Sequence, residues 1–175
     1  LSHLENLLAG GGRVSVVKEA DIENIGENLA HKELVNLVSA LINTFSKQGI
    51  GESDRLVAIL PVGIEVLVTT LAGFEVGATV ATASPEFGAD AILSRFSQLE
   101  PTVLVFSNSY PWQGKELNRS QMVAEVANAL PSLKLIIGLS ANNELPNVVL
   151  WSSATSEPKE VSFSKRSFDH PAYVL

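Results

Sequence analysis

Residues 56–83, LVAILPVGIEVLVTTLAGFEVGATVATA, decide the fold class of this chain. The stretch is almost wholly apolar, and it is longer than the roughly 20 residues that a helix needs to cross a membrane. However, Pro61 and Gly63 interrupt it early, and Glu65 and Glu75 lie inside it. Because a parallel strand covered on both faces is also continuously apolar, the stretch predicts a buried strand, a helix and a second buried strand, with no membrane association.

The same alternation of strands and helices continues on both sides of this stretch. Runs of β-branched residues predict strands, and apolar residues at spacings of three and four predict helices. The predicted strands are residues 13–18, 21–29 (a second strand or an extended arm), 55–60, 78–83, 102–106 and 134–137. The predicted helices are residues 31–47, 64–76, 89–99 and 116–130. Between residues 138 and 166 the pattern is lost, and residues 172–175 predict the start of a further buried strand. This order predicts an α/β fold with three layers, α/β/α, and a mostly parallel, doubly wound sheet.

The composition excludes several classes of function. The chain has 175 residues, of which 46% are hydrophobic, and this is enough for a sizeable core. Its net charge of -7 would repel a phosphate backbone, so we expect no nucleic-acid partner. The absence of cysteine excludes disulfides and thiolate zinc sites, and it fits a reducing, cytoplasmic location.

The histidines do not form a catalytic or metal-binding pattern. His3, His31 and His170 lack the spacing of a metal site, and the sequence contains no phosphate-loop or nucleophile-elbow motif. Asp169 and His170 are neighbours in an extended segment, where successive side chains point to opposite sides. We therefore predict no catalytic and no metal-binding residue, and we interpret His170 as part of the structural entry to a strand.

Two loops that follow predicted strands carry the residues best suited to bind a ligand. One is residues 84–88, SPEFG, and the other is residues 107–115, SNSYPWQGK. Open α/β sheets bind ligands at the carboxyl ends of their strands, aromatic rings stack on bases, and lysine offers a positive charge to phosphate. The residues alone also allow ordinary connections, with Lys115 solvated and Trp112 capping the core.

Several motifs resemble one family in the same order along the chain. They are residues 5–8 (ENLL), 52–61 (ESDRLVAILP), 84–88 (SPEFG), 93–101 (LSRFSQLEP), 114–116 (GKE), 130–134 (LPSLK) and 168–171 (FDHP). Together they resemble the N-terminal part of the acetoacetyl-CoA synthetases, within the superfamily of adenylate-forming acyl-CoA synthetases. The chain departs from this family at Ala30, where a helix-capping Thr worth about 1 kcal/mol is usual, and at Pro111, where an Arg is common.

The resemblance implies a reaction and a binding site. In similar synthetases a carboxylate and ATP give an acyl-adenylate and pyrophosphate, and CoA then displaces AMP, with Mg²⁺ expected beside the ATP. The loops that match residues 84–87 and the loop ending at Lys115 help to hold the nucleotide part of CoA. Pro111 removes one positive contact to the CoA phosphate. The candidate CoA-binding residues are Ser84, Pro85, Glu86, Phe87, Trp112 and Lys115.

The resemblance also implies how the chain is organised. Residues 1–30 are expected to form a lead-in with a β-strand arm, and residues 31–175 an incomplete N-terminal α/β subdomain of an adenylate-forming ligase. The family's ATP phosphate-binding loop would begin after Leu175. We therefore expect the isolated chain to be inactive and to bind neither ATP nor CoA alone. We also expect it to self-associate through an uncovered edge at residues 173–175.

Two alternatives stay open at this point. The chain could be the same segment of another short-chain acyl-CoA synthetase, such as acetyl-CoA synthetase, because the substrate pocket lies in none of the motifs quoted above. It could also be a non-catalytic α/β module that binds a nucleotide or a partner protein.

Overall fold

A computed structural model describes residues 13–16, 27–160 and 165–175. Its strands are β1 (Arg13–Val16), β2 (Glu27–Ala30), β3 (Arg55–Ile59), β4 (Thr79–Ala83), β5 (Val103–Phe106), β6 (Ser109–Trp112), β7 (Lys115–Asn118), β8 (Leu135–Gly138) and β9 (Val149–Leu150). Its helices are α1 (His31–Lys47), α2 (Ile64–Val76), α3 (Ala89–Phe96), which a 3₁₀ turn at Ser97–Leu99 follows, α4 (Ser120–Asn128) and α5 (Trp151–Ala154). His3 and the motif at residues 5–8 lie outside the described residues.

The centre of the fold is a parallel sheet of five strands in the order β4-β3-β5-β8-β9. The chain starts the sheet with β3, adds β4 on one side and then crosses to the other side for β5 and β8. This order is that of a doubly wound sheet and confirms the predicted α/β class. In the lead-in, β1 and β2 form a separate antiparallel pair. Of the strand predicted at residues 21–29, only residues 27–29 are described.

Alternate residues of the inner strand β3 point to opposite faces of the sheet. Leu56 and Ala58 pack with buried residues of α1 and α2, whereas Val57 and Ile59 pack with buried residues of α3 and α4. All four side chains are completely buried, and each large aliphatic side chain buried in this way contributes about 1.5–3 kcal/mol. The sheet is therefore covered by helices on both faces, which confirms the three predicted layers.

Helix α2 has the predicted bounds and lies very close to β4. A Cβ atom on Gly73 would come within 2.6 Å of Val80 Cγ2, so a larger residue there would push the helix off the strand. The helix ends at Gly77, which adopts the left-handed conformation with φ 81°. Helix α1 also has the predicted bounds, and the carboxylate of Glu33 accepts a hydrogen bond of 2.9 Å from the backbone N–H of Ala30. This bond satisfies one backbone donor at a helix start that lacks a cap hydroxyl.

The helix predicted from residue 116 is wrong at its start. Gln113 and Gly114 have positive φ values of 49° and 71°, and they reverse the chain so that β6 and β7 form an antiparallel hairpin. The helix begins at Ser120, whose backbone N–H donates to Asn118 Oδ1 at 2.9 Å. The residues of β7 are all exposed, so they carry no apolar stripe that could hold a helix against the sheet.

The region from residue 138 to residue 166 is more regular than predicted. Val149 and Leu150 pair in parallel with Ile137 and Gly138 of β8 and form the fifth strand of the sheet. The short helix α5 follows, and its Ala154 is buried in the core. A strand of two residues carries no periodicity, and for that reason the sequence pattern does not show it.

The prediction that the strand at residues 172–175 is buried is wrong. Val80 N–H donates to Ala172 O and Val174 N–H donates to Val80 O, each at 2.9 Å, so the segment extends the sheet at the outer edge of β4. However, Tyr173, Val174 and Leu175 are exposed. His170 precedes this segment and donates from Nε2 to Gly77 O at 2.8 Å, a structural contact that agrees with its interpretation as a strand entry.

The amino end of the sheet is closed by polar side chains. Arg55 donates to three main-chain carbonyls: Leu99 O at 2.6 Å, Ser53 O at 2.8 Å and Glu100 O at 2.8 Å. Its neighbour Asp54 is buried and accepts a hydrogen bond of 2.8 Å from Gly51 N–H. Both polar side chains of this pair therefore have hydrogen-bond partners within the chain.

No helix in the described part of the chain is long and apolar enough to cross a membrane.

Candidate functional site

A cavity of about 580 Å³ lies at the carboxyl ends of β3, β4 and β5. Its base is formed by residues that directly follow strands: Leu60 and Pro61 after β3, and Leu139 after β8. The parallel strands all end at the same edge of the sheet, and the loops after them must therefore surround one space. The cavity is consequently in the position that the sequence predicts for a ligand.

Both predicted loops reach this cavity. From the loop after β4, Ser84, Pro85, Glu86 and Phe87 line it, and from the hairpin Trp112 does so. Lys115, the sixth predicted residue, lies outside the lining. The structure thus brings five of the six predicted side chains to one cavity.

Lys115 is nevertheless next to the cavity through its strand pairing. It is exposed on β7 and pairs directly with Trp112 of β6. Residues paired directly across an antiparallel ladder share a face, with Cβ atoms roughly 4.5–5.5 Å apart. The side chains of Lys115 and Trp112 therefore leave the hairpin on the same face, which places Lys115 next to a residue of the cavity rim.

The rim of the cavity is apolar and open to solvent. Val62, Phe87 and Trp112 all line it, and they are among the most exposed large apolar side chains, at 52%, 42% and 47%. A cluster of exposed apolar groups around a concave site is typical of a surface that a ligand covers. The two aromatic rings suit a ligand with a flat ring.

The charged residues that line the cavity are all acidic. Of its lining residues, which all belong to the described chain, three are glutamates and none is lysine or arginine. Glu86 was predicted, whereas Glu65 of α2 and Glu116 of β7 were not. Carboxylates of this kind repel phosphate groups, so the interior suits an uncharged group or one with hydrogen-bond donors.

Arg119 is a residue of this region that the sequence reasoning missed. It follows the hairpin and donates to three consecutive main-chain carbonyls of the loop after β4: Pro85 O at 2.7 Å, Glu86 O at 3.2 Å and Phe87 O at 2.6 Å. The acceptors are backbone atoms more than thirty positions away, and no sequence motif marks such a contact.

A second arginine contacts the same loop from α3. The guanidinium carbon of Arg95 lies 5.2 Å from the centroid of the Phe87 ring, which is a cation–π distance. The loop itself contains weaker contacts, since Phe87 N–H donates to Ser84 O and Glu86 N–H to Ser84 Oγ, both at 3.3 Å. Its conformation is therefore held mainly by side chains from outside the loop.

The described residues contain no group of three or more His, Cys, Asp or Glu residues that could hold a metal ion. The lining of the cavity consists of aromatic, apolar, acidic and small polar residues.

Comparisons with known proteins give a consistent assignment. The family model described as "AMP-binding enzyme" matches residues 9–175. Acetoacetyl-coenzyme A synthetase of Rhizobium meliloti (strain 1021) is 29% identical over 184 residues, and the alignment covers 100% of this chain and 28% of the relative. Acetoacetyl-CoA synthetase of Gallus gallus is 28% identical over 190 residues, with 100% of this chain and 28% of the relative covered.

A solved structure agrees with these relatives. Acetoacetyl-CoA synthetase from Streptomyces lividans superposes with a TM-score of 0.81 and 31% sequence identity, over 86% of this chain and 24% of that chain. The chain therefore has the fold of part of that structure, and it spans 28% of the length of the two curated relatives named above.

Proposed function

Because the chain belongs to the AMP-binding enzyme family, we propose that it is the N-terminal part of an acetoacetyl-CoA synthetase. In the proposed reaction, a carboxylate oxygen of acetoacetate attacks the α-phosphate of ATP, and pyrophosphate leaves. The thiolate of CoA then attacks the acyl carbon of the adenylate, and AMP leaves as acetoacetyl-CoA forms. The choice of acetoacetate is supported by the curated relatives and the solved structure, which are all acetoacetyl-CoA synthetases.

The role that we propose for this chain within the enzyme is to bind the nucleotide part of CoA. The observation that carries this proposal is the cavity at the carboxyl ends of the strands, with the exposed rings of Phe87 and Trp112 at its rim. Each base stacked on an aromatic ring contributes roughly 1–3 kcal/mol. In the proposed complex, Ser84, Pro85 and Glu86 complete the wall on which the adenine group lies.

The charges favour one orientation of CoA. Since the cavity contains three glutamates, we place the uncharged adenine inside it and the phosphate groups outside. Lys115 stands opposite Trp112 at the rim, where its ammonium group can form a charge-assisted hydrogen bond to a phosphate oxygen. Pro111 also lines the cavity, so the arginine that the family resemblance leads us to expect at this position is absent from the proposed site.

The proposal places ATP chemistry outside the described residues. Those residues contain no group of three or more His, Cys, Asp or Glu residues that could hold the Mg²⁺ that accompanies ATP. The cytoplasmic location expected from the cysteine-free sequence is part of the same proposal.

The test uses the full-length protein that contains this chain. With acetoacetate and ATP but no CoA, labelled pyrophosphate should exchange into ATP, and addition of CoA should release AMP and acetoacetyl-CoA. Acetate, tested at the same concentrations, should be the poorer substrate. A protein that shows no carboxylate-dependent pyrophosphate exchange would contradict the proposed activity, and equal use of acetate would contradict the choice of acid.

A further inference from the structure

The loop after β4 is held by one side chain that lies more than thirty positions away in the sequence. The guanidinium group of Arg119 donates to the carbonyls of Pro85, Glu86 and Phe87, which are consecutive in the chain. Two of these bonds, at 2.7 Å and 2.6 Å, are much shorter than the 3.3 Å contacts within the loop itself. A planar fork of N–H donors fits such a row of acceptors better than any other side chain does.

Arg119 is itself held rigidly. Its backbone N–H donates to Asn108 O at 2.6 Å, and its own carbonyl accepts a hydrogen bond of 2.9 Å from Val123 N–H at the start of α4. Asn108 lies in the connection between β5 and the hairpin, and its amide group in turn donates to Ala141 O at 2.8 Å. Arg119 thus ties together the two loops that form the cavity.

Arg119 does not reach the cavity. It is half-buried behind the loop, and it is not among the residues of the described chain that line the space. In contrast, Pro85, Glu86 and Phe87, whose carbonyls it binds, are all among the residues that line the cavity. Arg119 therefore acts on any ligand through these three residues.

We propose that Arg119 is a positioning residue for CoA, which holds the loop of residues 84–88 in the conformation that places Phe87 against the ligand. This inference rests on the proposed function of the cavity as the CoA nucleotide site. Two arginines then fix Phe87 in complementary ways, since Arg119 binds its carbonyl and Arg95 packs on its ring. Binding to a loop that is already ordered avoids the cost of ordering it.

The consequence is a selective effect on CoA. In Arg119→Met the loop loses its three external hydrogen bonds but keeps the aliphatic packing of the side chain. We expect the KM for CoA to rise by about ten-fold or more, because small displacements of contact groups have effects of this size, whereas acetoacetate-dependent pyrophosphate exchange stays within about two-fold. Arg119→Lys should remain defective, since lysine keeps the charge and loses the fork.

Arg55 provides a matched control at the other end of the sheet. It also donates to three main-chain carbonyls, at distances of 2.6–2.8 Å, but it lies at the amino ends of the strands. Arg55→Met should lower stability to a similar extent in thermal unfolding and leave the KM for CoA unchanged.

The experiment measures both half-reactions of the full-length wild-type protein and of Arg119→Met, Arg119→Lys and Arg55→Met. A CoA-specific rise of KM in both Arg119 variants, absent in Arg55→Met, supports the proposal. An unchanged KM for CoA, an equal loss in both half-reactions, the same KM rise in Arg55→Met, or full recovery in Arg119→Lys would each overturn it. A wild-type protein without pyrophosphate exchange would instead refute the proposed function, so the two failures are distinguishable.

Discussion

At each end of the parallel sheet an arginine binds main-chain carbonyls, but the two arginines hold different kinds of structure. At the amino end, Arg55 and Asp54 bind groups of the chain itself and hold the turns around them. At the carboxyl end, Arg119 also binds main-chain carbonyls, but the loop that it holds surrounds a cavity with exposed aromatic rings. Arg55 thus stabilises turns of the chain itself, whereas Arg119 holds a loop that borders the cavity.

The difference teaches that stability and binding are separable along the strands. Substitutions at the amino end should change the free energy of unfolding with little effect on ligands. Substitutions of the cavity-rim rings at the carboxyl end should change ligand binding with little effect on unfolding, because Phe87 and Trp112 are already exposed.

The largest effect is expected when this chain is separated from the rest of the full-length protein. The isolated chain of 175 residues should show no acetoacetate-dependent pyrophosphate exchange, since preorganised groups that stabilise the transferred phosphate supply most of the rate of such reactions and the sequence holds no phosphate-loop motif. Exchange above background by the purified chain would show that this chain alone holds the residues for adenylate formation, and would contradict the prediction.

The next effect concerns the charge at the cavity rim. In the full-length protein, Lys115→Glu should raise the KM for CoA by about ten-fold or more, because loss of a charge-assisted hydrogen bond of about 1–3 kcal/mol is combined with repulsion. Pyrophosphate exchange, which involves no CoA, should be nearly unchanged. Both half-reactions should be measured on the same preparation.

The control for this variant is Lys32→Glu, which makes the same change of charge on an exposed residue of α1. It should leave the KM for CoA unchanged. A KM rise of equal size in both variants would show that only the net charge matters, and an unchanged KM in Lys115→Glu would remove Lys115 from the site.

A smaller effect is expected at the amino end, where Asp54 is buried. Burial opposes the ionisation of Asp54, but hydrogen bonds from Gly51 N–H, Thr102 and Lys134 outweigh it and hold the pKa of Asp54 below its usual value. A carboxyl whose pKa is lowered by folding contributes stability that is fully present above its unfolded pKa, about 3.9, and is lost as the pH falls through its folded pKa.

We therefore expect Asp54→Asn to lower the free energy of unfolding by roughly 1–2 kcal/mol at pH 7, with a difference from wild type that shrinks as the pH falls below about 3.9. Urea titrations at pH 7 and in this acid range measure it. A difference that stays constant with pH would mean that the charge of Asp54 contributes nothing to stability.

The smallest effect concerns the lateral edge of the sheet rather than its ends. Tyr173 and Val174 are exposed beside β4, and an exposed apolar edge pairs with other chains. The isolated chain should therefore associate weakly at high concentration in light scattering, and Val174→Lys should reduce this association. Identical, strictly monomeric scattering by both proteins would contradict the prediction.

The sequence predicts the parts of the fold that carry strong periodicity. The bounds of α1 and α2 agree with the prediction because each helix has a continuous apolar stripe or run, and Gly77 marks where α2 ends. The hairpin was missed because residues 115–118 have a helix-like composition, and only the positive φ values of Gln113 and Gly114 reverse the chain. The burial of Val174 was misjudged since an apolar residue is buried only where another element covers it.

The candidate site was predictable to the extent that it follows from the direction of the strands. Residues 84–87 and Trp112 could be located because the loops after parallel strands meet at one edge. Arg119 could not, because its partners are main-chain carbonyls, which every residue possesses. Glu65 and Glu116 also escaped prediction, since their exposure to the cavity depends on the orientation of α2 and of the hairpin.

The pairing of residues 172–174 with β4 has a consequence for biosynthesis. Thr82 and Tyr173, whose hydroxyl groups are in contact, lie 91 positions apart in the chain. At a ribosomal rate of about 5–20 residues per second, the outer edge of β4 stays unpaired in the nascent chain for roughly 5–20 s. The sequence of β4, TVATA, has two threonines and no large aliphatic residue except Val80. Such a strand is uncharged, lacks proline and is rich in β-branched residues, which are features of segments that pair with other chains. The outer edge of β4 is therefore open to such pairing until residues 172–174 have been made.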